Sequence, residues 1–159
     1  MSRTLDGAVV AVIGASGGTG AAERARGRGR LPTVTVPVRR EVPVHPAVVW
    51  DLLVDTARWA DWGPSVRSIE TPDRRLGAHT AGRIRTTLGP WLPFRVTDYE
   101  EGRRWAWSVA GVPATTHIVE PTADGCRVTF GVPALAAVYS PVCAIALRRI
   151  EQLARGSRW

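Results

Sequence analysis

The chain predicts an α+β fold, a curved antiparallel sheet wrapped about one long C-terminal helix with two short helices after the first strand. Three observations carry this. Strand-like segments recur from residue 82 to residue 132, separated by turns too short for crossover helices, so consecutive strands pair as antiparallel neighbours. A pair of helix-start signals follows the first strand, and a single apolar stripe at helical spacing follows the last.

Residues 33–44, rich in Val and Thr, form the expected first strand. His45-Pro46 then starts a helix, because Pro at the first helical position gives up an N–H that has no partner there anyway. Val49, Leu52 and Leu53 share one face of it. Asp55 is the expected N-cap of a second short helix, accepting from the amides of residues 57 and 58, and Gly63-Pro64 stops that helix just after Trp59 and Trp62. Two tryptophans three apart lie on one side of a turn, where they either close a core or rim a pocket.

Further strands are expected at 82–88, 94–99, 103–109, 114–120 and 126–132, with turns at 73–77, 89–90, 100–102 and 122–125. Strand alternation puts Trp105, Trp107 and Val109 on one face, and makes Val128 and Phe130 the apolar face of the last strand. Ser140-Pro141 caps the terminal helix, whose stripe runs through Cys143, Ala146, Leu147, Ile150, Leu153 and Ala154 until Gly156 ends it.

One hundred and fifty-nine residues suffice for one compact domain with a sizeable core. The net charge of +7 comes from a chain whose basic residues are all Arg, with Lys and Asn absent, a pattern of codon bias more than of Arg chemistry. It divides into +3 over residues 1–31 and +4 over 32–159, so no large one-sided field builds up, and no groove-reading motif accompanies it. Nucleic acid is not an expected partner. Cys126 and Cys143 fit no metal or disulfide framework and are expected to be free thiols of a reduced compartment. The apolar run at 8–13 is too short to span a membrane and makes a poor signal peptide, so the expected address is the cytoplasm.

Residues 1–31 stand apart as an N-terminal extension, expected to be flexible, ahead of a domain over 32–159. An apolar run at 7–13 precedes glycines at 14, 18 and 20, and residues 1–22 thereby resemble the opening strand and glycine turn of short-chain dehydrogenases. A dinucleotide site needs a second strand with a ribose-reading residue about twenty positions on. Linker-like Gly27-Arg-Gly-Arg30-Leu-Pro32 stands there instead, so NAD(P) binding is not expected, nor any other cofactor.

The main body carries a second resemblance. Val49-Trp-x-Leu-Leu-x-Asp-x-x-Arg-Trp-x-x-Trp-x-Pro64 after the first strand, Gly102-Arg-Arg-Trp-x-Trp107 after a hairpin, His117 ahead of Val119-Glu-Pro, and Gly125-Cys-Arg-Val-Thr129 near the last strand occur in an order similar to the polyketide cyclase/dehydrase branch of the START-like (SRPBCC) superfamily. The resemblance covers residues 34–154. It implies a helix-grip fold with a deep, mostly apolar cavity between sheet and C-terminal helix. The superfamily spans cyclases, carriers and regulators, so it implies far less about chemistry.

His117 is the first candidate for that chemistry. If Val119 faces the cavity, so does the imidazole, as acid or base or as a satisfied structural histidine. Tyr99 can donate its phenol to a ligand carbonyl, or cap the hairpin surface. The candidate ligand-binding residues are Trp59, Trp62, Phe94, Trp105, Trp107, His117 and Phe130 as walls, with Arg83 and Arg85 to hold an enolate or carboxylate oxygen should they point inward rather than to water. His45, His79 and His117 show no metal-ligand spacing, and cap and surface roles account for Asp51 and Asp55. The expected function is binding of a small hydrophobic molecule, polycyclic, acyl or lipid-like, in a cavity of some hundreds of Å³. Two forms stay open, a cofactor-free polyketide cyclase/dehydratase-like enzyme and a non-catalytic carrier or regulator, in a monomer or homodimer.

Overall fold

A computed structural model describes residues 34–156. The N-terminal extension of residues 1–31, with its glycine turn, lies outside the described residues. Strand β1 (Thr35–Val42) leads into helix α1 (Pro46–Val54), a 3₁₀ turn (Thr56–Arg58) and the single-turn helix α2 (Trp59–Trp62). Six strands follow, β2 (Val66–Glu70), β3 (Ala81–Thr86), β4 (Trp91–Glu100), β5 (Arg104–Val109), β6 (Val112–Thr122) and β7 (Gly125–Pro133). A 3₁₀ segment (Ala134–Tyr139) and the long helix α3 (Ser140–Gly156) complete the fold.

All seven strands form one antiparallel sheet in the order β1-β7-β6-β5-β4-β3-β2. Strands β1 and β2 are therefore opposite edges, and the α1–α2 connection must cross one face of the sheet to join them. Returning by hairpins, β2 to β7 arrive beside β1, and α3 lies over the same face against α1, α2 and β1. This is the predicted antiparallel sheet gripping a terminal helix.

Local chemistry explains the turns. His45 caps α1, its Nδ1 accepting from the Ala47 amide at 3.2 Å, and Asp55 Oδ1 accepts from the Ala57 amide at 3.1 Å. Arg74 forks onto Asp55 at 2.8 and 3.0 Å and holds its carboxyl below the usual carboxylate range. The two-residue turn between β5 and β6 has positive φ at both Ala110 (51°) and Gly111 (78°), the twist that a tight hairpin demands. Gly125 opens β7 where a Cβ would collide with the Val42 carbonyl, so a side chain there would push β1 off the sheet.

Curvature comes from bulges. Register shifts at Val96/Asp98, at Ala106/Ser108 and at Val66/Ser68 add one or more residues to a strand and bend the sheet inward. Strand β2 itself is an addition to the sequence reading, which had no strand between Pro64 and the turn at 73–77. Strand β4 also begins three residues earlier than expected, at Trp91. Helix α3 buries Cys143, Ala146, Leu147, Ile150 and Ala154, the expected stripe with Leu153 half-buried at its margin.

Candidate functional site

The concave face of the sheet is filled by rings at one end. Trp59 of α2 lies parallel to Trp105 of β5, with centroids 5.3 Å apart and planes 2° apart, and contacts Phe94 of β4 at 5.6 Å. On the other side of Trp105, His117 of β6 stacks at 3.8 Å, and Phe130 of β7 meets it edge-on at 4.5 Å. The indole N–H groups of Trp59 and Trp62 donate to the carbonyls of Leu53 at 2.9 Å and Leu52 at 3.0 Å. Both tryptophans thus pin α2 onto α1, which is a core role before it is anything else.

Alternation along β6 turns Thr115, His117 and Val119 inward together. His117 is 2% exposed, and this burial pushes its imidazole down to about 3, against a weaker opposing effect of the Trp105 backbone. Trp107 Nε1 donates to Thr115 Oγ1 at 3.1 Å, and an indole N–H can only donate. The Thr115 hydroxyl is then free to donate its own proton to His117 Nε2, 3.2 Å away, which suits a neutral ring.

Beyond Trp107 the rings stop and space begins. A cavity of about 100 Å³ lies between β2–β7 and the 3₁₀ segment Ala134–Tyr139, walled by Val66, Ile84, Leu92, Trp107, Val109, Ala114, Val132, Pro133 and Ala136. Its polar groups are the hydroxyls of Ser65, Thr86, Thr115 and Tyr139. A smaller space of about 40 Å³ adjoins it and reaches Trp59, Trp62, His117, Phe130 and Cys143 under α3. Ser65 and Tyr139 hydrogen-bond each other between the two spaces they both line. The Thr86 hydroxyl is buried and has no partner among the described residues.

Several sequence candidates stand elsewhere. Arg83 and Arg85 flank the inward Ile84, so alternation carries both guanidinium groups to the outer face; Arg83 pairs with Glu70 and lies 4.7 Å over the Trp91 ring. Neither Arg83 nor Arg85 is among the residues that line the two spaces. Tyr99 also lies away from both spaces. Its hydroxyl bonds Glu101, which also accepts from Trp50 Nε1 at 3.1 Å and pairs with Arg75 at 2.7 Å. Burial and this carboxylate push the phenol up to about 12, and the shared Glu101 ties the β4–β5 hairpin to α1. Phe94 and Trp105 pack behind the walls, whereas Trp59, Trp62, Trp107, His117 and Phe130 touch the spaces.

Sequence reasoning missed Ser65, Thr86 and Tyr139. Thr86 was legible, since it follows Ile84 by two residues on an alternating strand. Ser65 and Tyr139 meet from positions 74 residues apart, and no local pattern announces that. The cysteines are free and buried, which pushes Cys126 up to about 11 and Cys143 up to about 12. No group of His, Cys, Asp or Glu among the described residues is arranged to hold a metal ion, and no helix there is long and apolar enough to cross a membrane.

Residues 33–152 match the model of one family, described as polyketide cyclase / dehydrase and lipid transport. The chain belongs to this family. Hydrophobic-ligand binding is thereby supported at the level of the family, and the span begins after the glycine segment, whose likeness to short-chain dehydrogenases finds no support. Solved structures share the fold. Protein MLL2253 from Mesorhizobium loti superposes with a TM-score of 0.64 at 16% identity, covering 79% of this chain and 99% of that one. TTHA0849 from Thermus thermophilus gives 0.58 at 17% identity, over 78% and 99% of the two chains. The AHSA1-like protein from Aeromonas hydrophila gives 0.57 at 12% identity, over 77% and 93%. No curated protein matches the sequence.

Proposed function

We propose that this chain binds one small hydrophobic molecule in the cavity between the sheet and the segment Ala134–Tyr139, and holds it without turning it over. The observation that carries the reading is the cavity wall, which among the described residues is aliphatic on most sides, with four hydroxyls and no charged side chain. Folding a poly-β-keto chain requires a group that moves protons next to a carbonyl. His117, the imidazole nearest the space, is packed among rings and held neutral, which favours a carrier or regulator over a cyclase.

At about 100 Å³ the cavity is smaller than the several hundred Å³ that drug-sized ligands occupy. A ligand of that size enters by displacing the 3₁₀ segment. That segment is short and kinked at Ala136 (φ −109°, ψ 23°), and it turns Ala136 inward while Leu135 and Val138 stand 78% and 65% exposed. Short 3₁₀ segments have poorer hydrogen bonds than α-helices and yield more easily.

Titration with the neutral fluorophore N-phenyl-1-naphthylamine tests the reading. The expected result is saturable enhancement at about 1:1 stoichiometry, accompanied by quenching of tryptophan emission through Trp107. Filling the cavity with Ala114→Leu is expected to weaken binding at least tenfold while leaving the protein folded. Unsaturable binding, or binding indifferent to Ala114→Leu, contradicts the site.

A further inference from the structure

Building on the proposed binding function, we infer that the ligand is an uncharged molecule with a hydrogen-bond-accepting oxygen, of the ketone, lactone, ester or alcohol class, and that the site refuses a free carboxylic acid in its anionic form. Two independent features of the cavity support this, the absence of charge from its walls among the described residues and the surplus of hydroxyl protons in it.

Burying a carboxylate is costly unless a cation or several donors meet it. Among the described residues, those that line the cavity include no Arg, and alternation about its wall residue Ile84 sets Arg83 and Arg85 on the opposite face of the sheet, where Arg83 pairs with Glu70. His117 remains neutral beside the adjoining space and offers no positive charge. A carboxylate entering here leaves water and finds no counter-charge.

The hydroxyls, by contrast, are short of acceptors. Ser65 and Tyr139 have two protons between them and use one on each other, so one proton of the pair is left over. Thr86 is 5% exposed, and its Oγ1 has no partner among the described residues. An unpaired buried hydroxyl destabilises the protein that contains it, and a ligand oxygen brought alongside would relieve that. Thr115 is already engaged with Trp107 and His117, so Thr86 and the Ser65–Tyr139 pair are the groups that would meet the ligand's oxygen.

Displacement of N-phenyl-1-naphthylamine by three nine-carbon ligands tests this, using 2-nonanone, 1-nonanol and nonanoate on the full chain at pH 8 and pH 6. At pH 8 the ketone and the alcohol should displace the probe at concentrations at least tenfold lower than nonanoate. The potency of nonanoate should rise about tenfold per unit as pH falls and the neutral acid accumulates, while that of the ketone stays constant. Thr86→Val should lower ketone affinity about fivefold relative to that of the probe, which makes no hydrogen bond to this hydroxyl, and raise the melting temperature of the empty protein. If nonanoate matches the ketone at pH 8, or if Thr86→Val leaves ketone affinity unchanged relative to that of the probe, this inference is overturned while the binding function stands. If neither the probe nor any of the three ligands binds, the binding function fails and this inference with it.

Discussion

The two ends of one concave face differ in a single respect, the size of the side chains that alternation turns inward. At one end, inward positions hold Trp105, His117, Phe94 and Phe130, and with Trp59 laid over them the rings leave a space of only about 40 Å³. At the other, Ile84, Thr86, Val109, Ala114 and Val132 are too small to reach the segment above, and a cavity remains. The backbone continues from one end to the other on the same strands, β4 to β7. Interiors pack to a fixed density, so a site in such a fold is placed by where large residues give way to small ones.

The comparison breaks most readily at Trp105. Trp105→Ala should cost about 3–5 kcal/mol in urea unfolding, because the ring is fully buried between Trp59 and His117 and the packed neighbours cannot collapse into the gap. A cost below about 1 kcal/mol would show the ring end to be no better packed than the cavity end.

Acid sharpens the contrast next. His117 has a folded pKa of about 3, below its unfolded value, so between roughly pH 6.5 and pH 3 the unfolded chain binds the extra proton. The sign follows: this histidine has no effect on stability above pH 7, and it lowers stability as pH falls, by up to about 1.4 kcal/mol per unit. Unfolding followed from pH 7 to pH 4.5 should show this slope, and His117→Phe should flatten it. An unchanged slope in the variant would mean that the ring titrates in contact with water.

Much of this was legible in sequence, and the failures are instructive. The start of α1 at Pro46 and the cap at Asp55 were readable because they depend on two or three adjacent residues, and the α3 stripe because a helix repeats its face. Inward placement of His117 followed from Val119 by alternation. Strand β2 was hidden, since a bulge at Arg67 breaks the alternation between Val66 and Ile69. The volume of the cavity was not legible either, because it depends on how far Ala136 and Tyr139 descend toward the sheet, a matter of tertiary packing. The direction of the β3 arginines was left open in the sequence, although the strand itself decides it, since Ile84 between Arg83 and Arg85 fixes the parity.

That parity yields the smallest expected effect. Arg83→Ala removes a solvent-exposed ion pair with Glu70 and should shift stability by no more than about 0.5 kcal/mol, with probe affinity unchanged. A loss of binding in this variant would bring the outer face into the site after all.

Methyl-resolved NMR during titration with 2-nonanone tests the central claim most directly. The account predicts that the methyl signals of Ile84, Val109, Ala114 and Val132 shift together and saturate, while those of Val49, Leu53 and Ile150, buried away from the cavity walls, stay in place. Shifts confined to the exposed Leu135 and Val138, or no saturable shift at any of the cavity methyls, would contradict it.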